Sequence, residues 1–389
     1  MRIRVALLVA CAAVAFALPV ASAPAGSASP TANAAAKTVA KRAAKRTFVY
    51  AYRSSPSPAV LAYAWESDGT LTPIAGSPFS PDVDPVGCGG FCGLLGYSKR
   101  RNALVMPGSD ALNVYLVGAD GVLTLAPGSP FAVEGVGNRL FGTRAVDRGS
   151  RTFVYTSDYT RDTIRGYEMA ADGSLSVLPG SPVASGGDGP DGLAATSRQL
   201  LCIHEVGGLI ASFAVGKDGA LTPAPGALGD MDTDGAWNLH VDARGRRVYA
   251  GDGDGPLVHG FSIDRKTGEL RPLKGSPYTA TLGSAGSGAN FAKKGPAVLF
   301  GVRSEGIQSA TVARNGAIEP LPDTVETSLT RIQAHGRSPD GKYVVVAGDG
   351  DQGVGFYTFA LDKKTGALTP VDFVADATTG VSGLQVVRR

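Results

Sequence analysis

The chain has 389 residues, of which 53 are glycine and 25 proline, and only 18% are charged. Glycine and proline are the poorest helix formers, which argues against a helical bundle, and a hydrophobic share of 43% argues against disorder. The formal net charge of +3 is uneven: residues 1–46 carry +7 and the remainder −4, a mildly acidic body that does not suit nucleic-acid binding.

Arg2 and Arg4 precede an apolar run from Val5 to Leu18, and Pro19 ends it. Small residues follow, so residues 1–25 read as a signal peptide cleaved after Ala23-Pro24-Ala25. The run of 14 residues is short for a membrane span of roughly 20, and none is expected elsewhere. Leu8-Val9-Ala10-Cys11 resembles a lipoprotein acceptor site, although the apolar run continues past Cys11. Residues 26–46 read as a basic Ala/Ser-rich linker, which leaves 47–389 as the folded body. Export implies an extracytoplasmic, oxidising location, in which Cys88 and Cys92 can close a small disulfide loop. Cys202 sits in the apolar strand Leu200–Ile203 and reads as a buried thiol.

One unit then recurs seven times: Asp-Gly, Asn-Gly or Thr-Gly, one residue, an aliphatic residue, and often Gly-Ser-Pro a few positions on. The leading glycines are Gly69, Gly121, Gly173, Gly219, Gly268, Gly316 and Gly366, spaced by 46 to 52 residues. Such dipeptides reach positive φ at little cost and turn one strand into the next. Alternating strands precede the turns, among them Val60–Trp65, Asn113–Val117, Leu209–Val215 and Gly355–Leu361. Further upstream lie Thr47–Tyr52, Arg151–Thr156, Arg247–Ala250 and Lys342–Ala347. About four strands in about 50 residues make a propeller blade. The fold class expected is therefore an all-β, seven-bladed β-propeller with four-stranded antiparallel blades. Thr47–Tyr52 lacks an inner neighbour, so the terminal strand Val381–Val387 should complete the first blade.

Residues 47–389 resemble the YVTN/lactonase-like seven-bladed propellers, which include the 6-phosphogluconolactonases and the fungal muconate-lactonizing enzymes. The clearest copy of the family's strand-turn-strand segment is Ser338-Pro339-Asp340-Gly341-Lys342-Tyr343-Val344-Val345-Val346-Ala347. Cys202-Ile203-His204-Glu205 looks like a family strand ending in Asn-Glu. Trp237-Asn238-Leu239-His240 with Asp242-Ala243-Arg244-Gly245-Arg246 resembles its histidine before Pro-Asp-Gly-Arg. Asp158-Tyr159-Thr160-Arg161-Asp162 is similar to its paired aspartates. The resemblance implies a central channel that holds Glu205 and His240. Two departures stand beside it: Asn138 to Arg144 lacks the histidine of lactonase-type members, and Ala250 to Gly253 lacks an arginine.

Lactone opening needs a base and a positive group for the developing oxyanion. Glu205 as base and His240 as acid or orienting group would supply the first. The alternative for His240 is a hydrogen-bonded inner-strand residue, while His204, His259 and His335 read as surface or satisfied core groups. The inner-strand entrances should place Asn138, Arg139, Asp191, Trp237, Asn238, Asn290 and Arg331 around the channel rim. That polar set suits a small polar ligand or a protein partner better than a lipid. Asp230, Asp232 and Asp234, with Gly235, begin like a calcium loop, but Val241 stands where its last ligand would be. No cofactor is otherwise suggested. The missing histidine and arginine favour a monomeric binding module with a degraded lactonase site. A carbohydrate-lactone hydrolase is the alternative, and a structural cell-surface propeller the third reading.

Overall fold

The seven turn glycines set the architecture. In the computed structural model, Gly69 and Gly121 adopt φ of +100° and +92°. The aspartate before each glycine accepts the backbone N–H two residues on, from Thr70 to Asp68 and from Val122 to Asp120, both at 3.1 Å. Each turn also lies flush against the preceding blade. A Cβ on Gly121 would sit 2.6 Å from the Phe48 ring, and one on Gly219 would sit 2.5 Å from the Phe153 ring. The same relation links Gly69 to Tyr343, carrying the sequence of contacts from the last blade back to the first. Buried tyrosines add a bond at three of these seams, donating from Tyr50 to Gly121 O (2.7 Å), Tyr155 to Gly219 O (2.6 Å) and Tyr249 to Gly316 O (2.9 Å).

The Gly-Ser-Pro signature solves a second local problem. Where the short fourth strand leaves the sheet, the third strand would keep an unpaired amide. The serine hydroxyl takes it, accepting N–H bonds from Ala62 to Ser77 (2.9 Å), Val114 to Ser129 (3.0 Å), Gly166 to Ser181 (2.8 Å) and Gly260 to Ser276 (2.9 Å).

Described are residues 45–389, apart from 55–57, 81–94, 136, 227–228, 232–234, 237, 253–254, 280–288, 291–295, 301–305, 327 and 377–379. They form seven antiparallel blades in a ring, with no helix among them. Blade 1 runs outward from Val381–Arg388 through Thr47–Arg53 and Ala59–Trp65 to Leu71–Pro73. The inner strands of blades 2 to 7 are Gly96–Ser98, Leu140–Arg148, Pro190–Ala195, Leu239–Val241, Ala289–Asn290 and Leu329–Arg337. Blades 2 to 5 add a two-residue strand beside their third strand. Most strands extend one to three residues beyond the sequence reading.

Closure is by the terminal strand, as expected: Phe48 pairs with Val387 and Tyr50 with Gln385. Arg389 then donates its amide to Arg46 O (3.0 Å) and its guanidinium to Val117 O of blade 2. The core is divided among the seams. Phe48, Tyr50, Leu104 and Met106 fill the seam between blades 1 and 2. Val49, Tyr63, Val345 and Phe356 fill the one between blades 1 and 7. Cys202 is a fully buried free thiol between blades 3 and 4, as read from its apolar strand.

Strand direction gives the ring two faces. The mouth face carries the turns between second and third strands and the loops that lead into inner strands. The base face carries the turns between first and second and between third and fourth strands.

Gly219→Ala should destabilise the fold by about 1–3 kcal/mol, because the residue is held at φ +90° and its Cβ would meet Phe153. A chemical denaturation series checks this. Ser129→Ala, which leaves the Val114 amide without its acceptor, should cost about 1–3 kcal/mol in the same assay.

Candidate functional site at the mouth of blades 3 and 4

Glu205 and Tyr159 occupy equivalent turns on the mouth face. They lie 46 residues apart, the spacing that separates Gly173 from Gly219. Each follows the second strand of its blade, Arg151–Asp158 in blade 3 and Gln199–His204 in blade 4. The Glu205 backbone is held at both ends: its N–H donates to Gly189 O and its carbonyl accepts from Gly235 N, both at 2.9 Å. Gly189 lies against Tyr159, where a Cβ would come within 3.1 Å of the ring.

The Tyr159 hydroxyl donates to the Glu205 carboxylate. Burial first, and this bond second, push the phenol up to about 12. Arg139, in the loop before the inner strand of blade 3, stacks its guanidinium 4.9 Å from the Tyr159 ring centroid and 5.2 Å from that of Phe141. Those two rings are 4.9 Å apart. The Arg139 Nε is buried without a protein acceptor. Asp191, second residue of the inner strand of blade 4, is only 4% exposed. Loss of solvent and then the charge of Glu205 hold its carboxyl well above the usual carboxylate range, against the opposing pull of Arg139. Blades 3 and 4 thus bring a glutamate, a phenol, a guanidinium and a protonated carboxyl into one electrostatic cluster.

His240 belongs to a different grouping. It lies on the inner strand of blade 5 and faces His335 on the inner strand of blade 7, with ring centroids 5.4 Å apart at 53°. Two blades that are not neighbours can meet this way only across the axial channel. Burial first and His240 second push the His335 imidazole well below its ordinary value, so it is neutral at neutral pH. Arg144, on the inner strand of blade 3, donates to Thr143 O (2.9 Å) and Leu95 O (3.4 Å). Burial brings its guanidinium down to about 10.

The remaining rim residues differ in their surroundings. Asn138 is buried, and its side chain joins Asp110 (2.8 Å), Arg165 (3.2 Å) and Arg161. The neighbouring Asp158 is likewise engaged, by Arg165 at 2.9 and 3.0 Å. Asn238 is half-buried before the inner strand of blade 5, and Arg331 is exposed on that of blade 7. Asn290 pairs through its backbone with Val298, and its side chain lies outside the described residues. Trp237, Asp232, Asp234, Cys88 and Cys92 also lie outside them. Asp230 is exposed and pairs with Leu209 in a short outer strand. Among the described residues no three His, Cys, Asp or Glu side chains are grouped to hold a metal. His204 is a fully buried core residue with Nδ1 3.0 Å from Leu209 O, but its Nε2 is buried without a partner, so it is not the satisfied core group expected from the sequence.

Sequence reasoning did not single out Tyr159, Arg144 or His335 as site residues. The offset of Tyr159 from Glu205 by one repeat was the available signal for the first. Nothing local marks the other two, because only ring closure shows what an inner strand faces.

No protein-family model matches the chain, and no curated protein matches it. Solved structures of lactonase-like propellers match in fold. A candidate 6-phosphogluconolactonase from Bacteroides fragilis is 16% identical with a TM-score of 0.66, over 89% of this chain and 98% of the other. Another from Bacteroides uniformis is 15% identical with a TM-score of 0.68, over 88% and 99%. The periplasmic gluconolactonase of Pseudomonas aeruginosa is 16% identical with a TM-score of 0.66, over 88% and 99%.

The buried Asp191 predicts a sign for pH dependence. Its carboxyl keeps its proton in the folded chain, whereas in the unfolded chain it ionises near pH 4. Stability contributed by the protonated form is therefore complete below about pH 4 and is lost as pH rises above it. The stability of Asp191→Asn relative to wild type should increase from about pH 4 toward neutrality, read by denaturant midpoints across that range.

Proposed function

We infer that the protein is an extracytoplasmic hydrolase that opens a small sugar-acid lactone at the mouth of blades 3 and 4. The observation that carries this reading is the grouping of Glu205 and the Tyr159 hydroxyl beside the stacked Arg139 and the buried Asp191. A carboxyl raised by burial and by a charged neighbour, placed beside a phenol and a guanidinium, is a mark of a functional site. In this scheme Glu205 takes a proton from water as the water oxygen bonds to the lactone carbonyl carbon. Arg139 supplies the positive charge for the oxyanion, while the Tyr159 hydroxyl, donating to Glu205, orients the base. Collapse of the oxyanion breaks the ring C–O bond, and the proton held by Glu205 passes to the departing alkoxide.

The descriptions of the structural neighbours as lactonases support the chemistry, and that of the Pseudomonas aeruginosa protein as periplasmic agrees with the leader read in residues 1–25. A second reading, a binding module without turnover, is favoured by Arg144, an enclosed cation in the stretch where the family resemblance calls for a histidine.

A panel of five- and six-membered sugar-acid lactones, followed by acid release, separates the two. Turnover by wild type should fall about 10²- to 10⁴-fold in Glu205→Gln and less in Tyr159→Phe. Equal rates for wild type and Glu205→Gln remove the base. Saturable binding of a sugar acid with no turnover selects the binding module.

A further inference from the structure

On the base face, away from the mouth, the first turns of blades 4 and 5 enclose a groove of about 330 Å³. That volume lies at the low end of the roughly 300–1,000 Å³ common for small-molecule sites. Three arginines line it: Arg198 from the blade 4 turn, and Arg244 and Arg265 from two turns of blade 5. All three are exposed, and among the described residues no carboxylate pairs with any of them. The only acidic residue of the lining, Asp242, is engaged locally: its Oδ1 accepts the backbone N–H groups of Arg244 (3.2 Å) and Arg246 (2.8 Å).

The backbone that carries the arginines is fixed. Gln199 Nε2 donates to Arg265 O (3.0 Å) across the seam, and its Oε1 accepts from Thr196 (2.7 Å). Gly245 at φ +62° approaches Thr196 so closely that a Cβ would lie 3.3 Å away. Elsewhere on this face the blade 2 turn adds Lys99, Arg100 and Arg101, and the third-to-fourth turns add Asp68, Asp120, Asp172 and Asp218. Within this mixed face the groove brings three forked donors together.

We propose that this groove is a second ligand site, which binds a small molecule through a phosphoryl or sulfuryl group. Arginine suits such a group better than lysine, since its planar fork meets two oxygens at once. The occupant is compact, because the groove admits little more than the anion and a sugar-sized body. The site is independent of lactone chemistry, which lies on the opposite face.

Calorimetric titration of the purified full-length chain at low salt, with inorganic phosphate and separately with inorganic sulfate, tests the proposal. Acetate serves as the singly charged control. One saturable site is expected for phosphate, sulfate or both, and the tighter anion identifies the group. The double variant Arg244→Gln, Arg265→Gln should weaken it about tenfold or more, and Arg198→Gln alone should weaken it less. The triple variant Lys99→Gln, Arg100→Gln, Arg101→Gln, which lowers the field of the face but leaves the groove intact, should stay within about twofold of wild type. Absence of saturable binding by wild type overturns the site. So does equal weakening in the triple and double variants, which would mark a diffuse field. Lactone turnover should be unchanged in all of these variants, so this result and the failure of the hydrolase reading are separable.

Discussion

The whole ring depends on the close approach of one turn per repeat to the blade before it. That approach needs a residue with no Cβ and a positive φ at the same point, and glycine alone meets both demands. Where Gly121 meets Phe48 and Gly219 meets Phe153, the blades come near enough for Tyr50 and Tyr155 to bond across the seam, and for large aromatics to pack into it. The hydrophobic core is consequently not central. It is distributed between blades, which leaves the axis lined by the polar faces of the inner strands.

This distribution explains why chemistry collects where it does. A group on the mouth face at the junction of two blades has packed protein on either side, yet opens onto solvent above. Asp191 lies on the buried side of that boundary and keeps its proton, while Glu205, half-buried one strand away, takes the Tyr159 bond. A single seam thus supplies two carboxyls with different environments from neighbouring positions of one blade. Arg144, His240 and His335, on the inner strands of blades 3, 5 and 7, are held in a setting that disfavours charge on Arg144 and His335.

What the chain reveals in one dimension is what is local or strictly repeated. The turn glycines, the Gly-Ser-Pro segment, the buried Cys202 strand and the returning terminal strand were all legible, because each is a short pattern with one conformational explanation. Glu205 was singled out only through the resemblance of Cys202-Ile203-His204-Glu205 to a family strand ending in Asn-Glu. Its neighbour Tyr159 stands one repeat earlier between two aspartates that carry the stronger local pattern, and the structure commits those to Arg165 and to the amide of Gly189. The pairing of His240 with His335 was beyond reach. It joins blades 5 and 7 across the axis, and no sequence spacing encodes a distance through an open channel.

The pairing of Thr47–Arg53 with Val381–Arg388 also orders events in time. The first strand to leave the ribosome keeps an open inner edge until more than 300 further residues have been made. No other strand of the ring waits so long for its neighbour. Such long-range pairing is slow and exposes an edge to other chains in the interval.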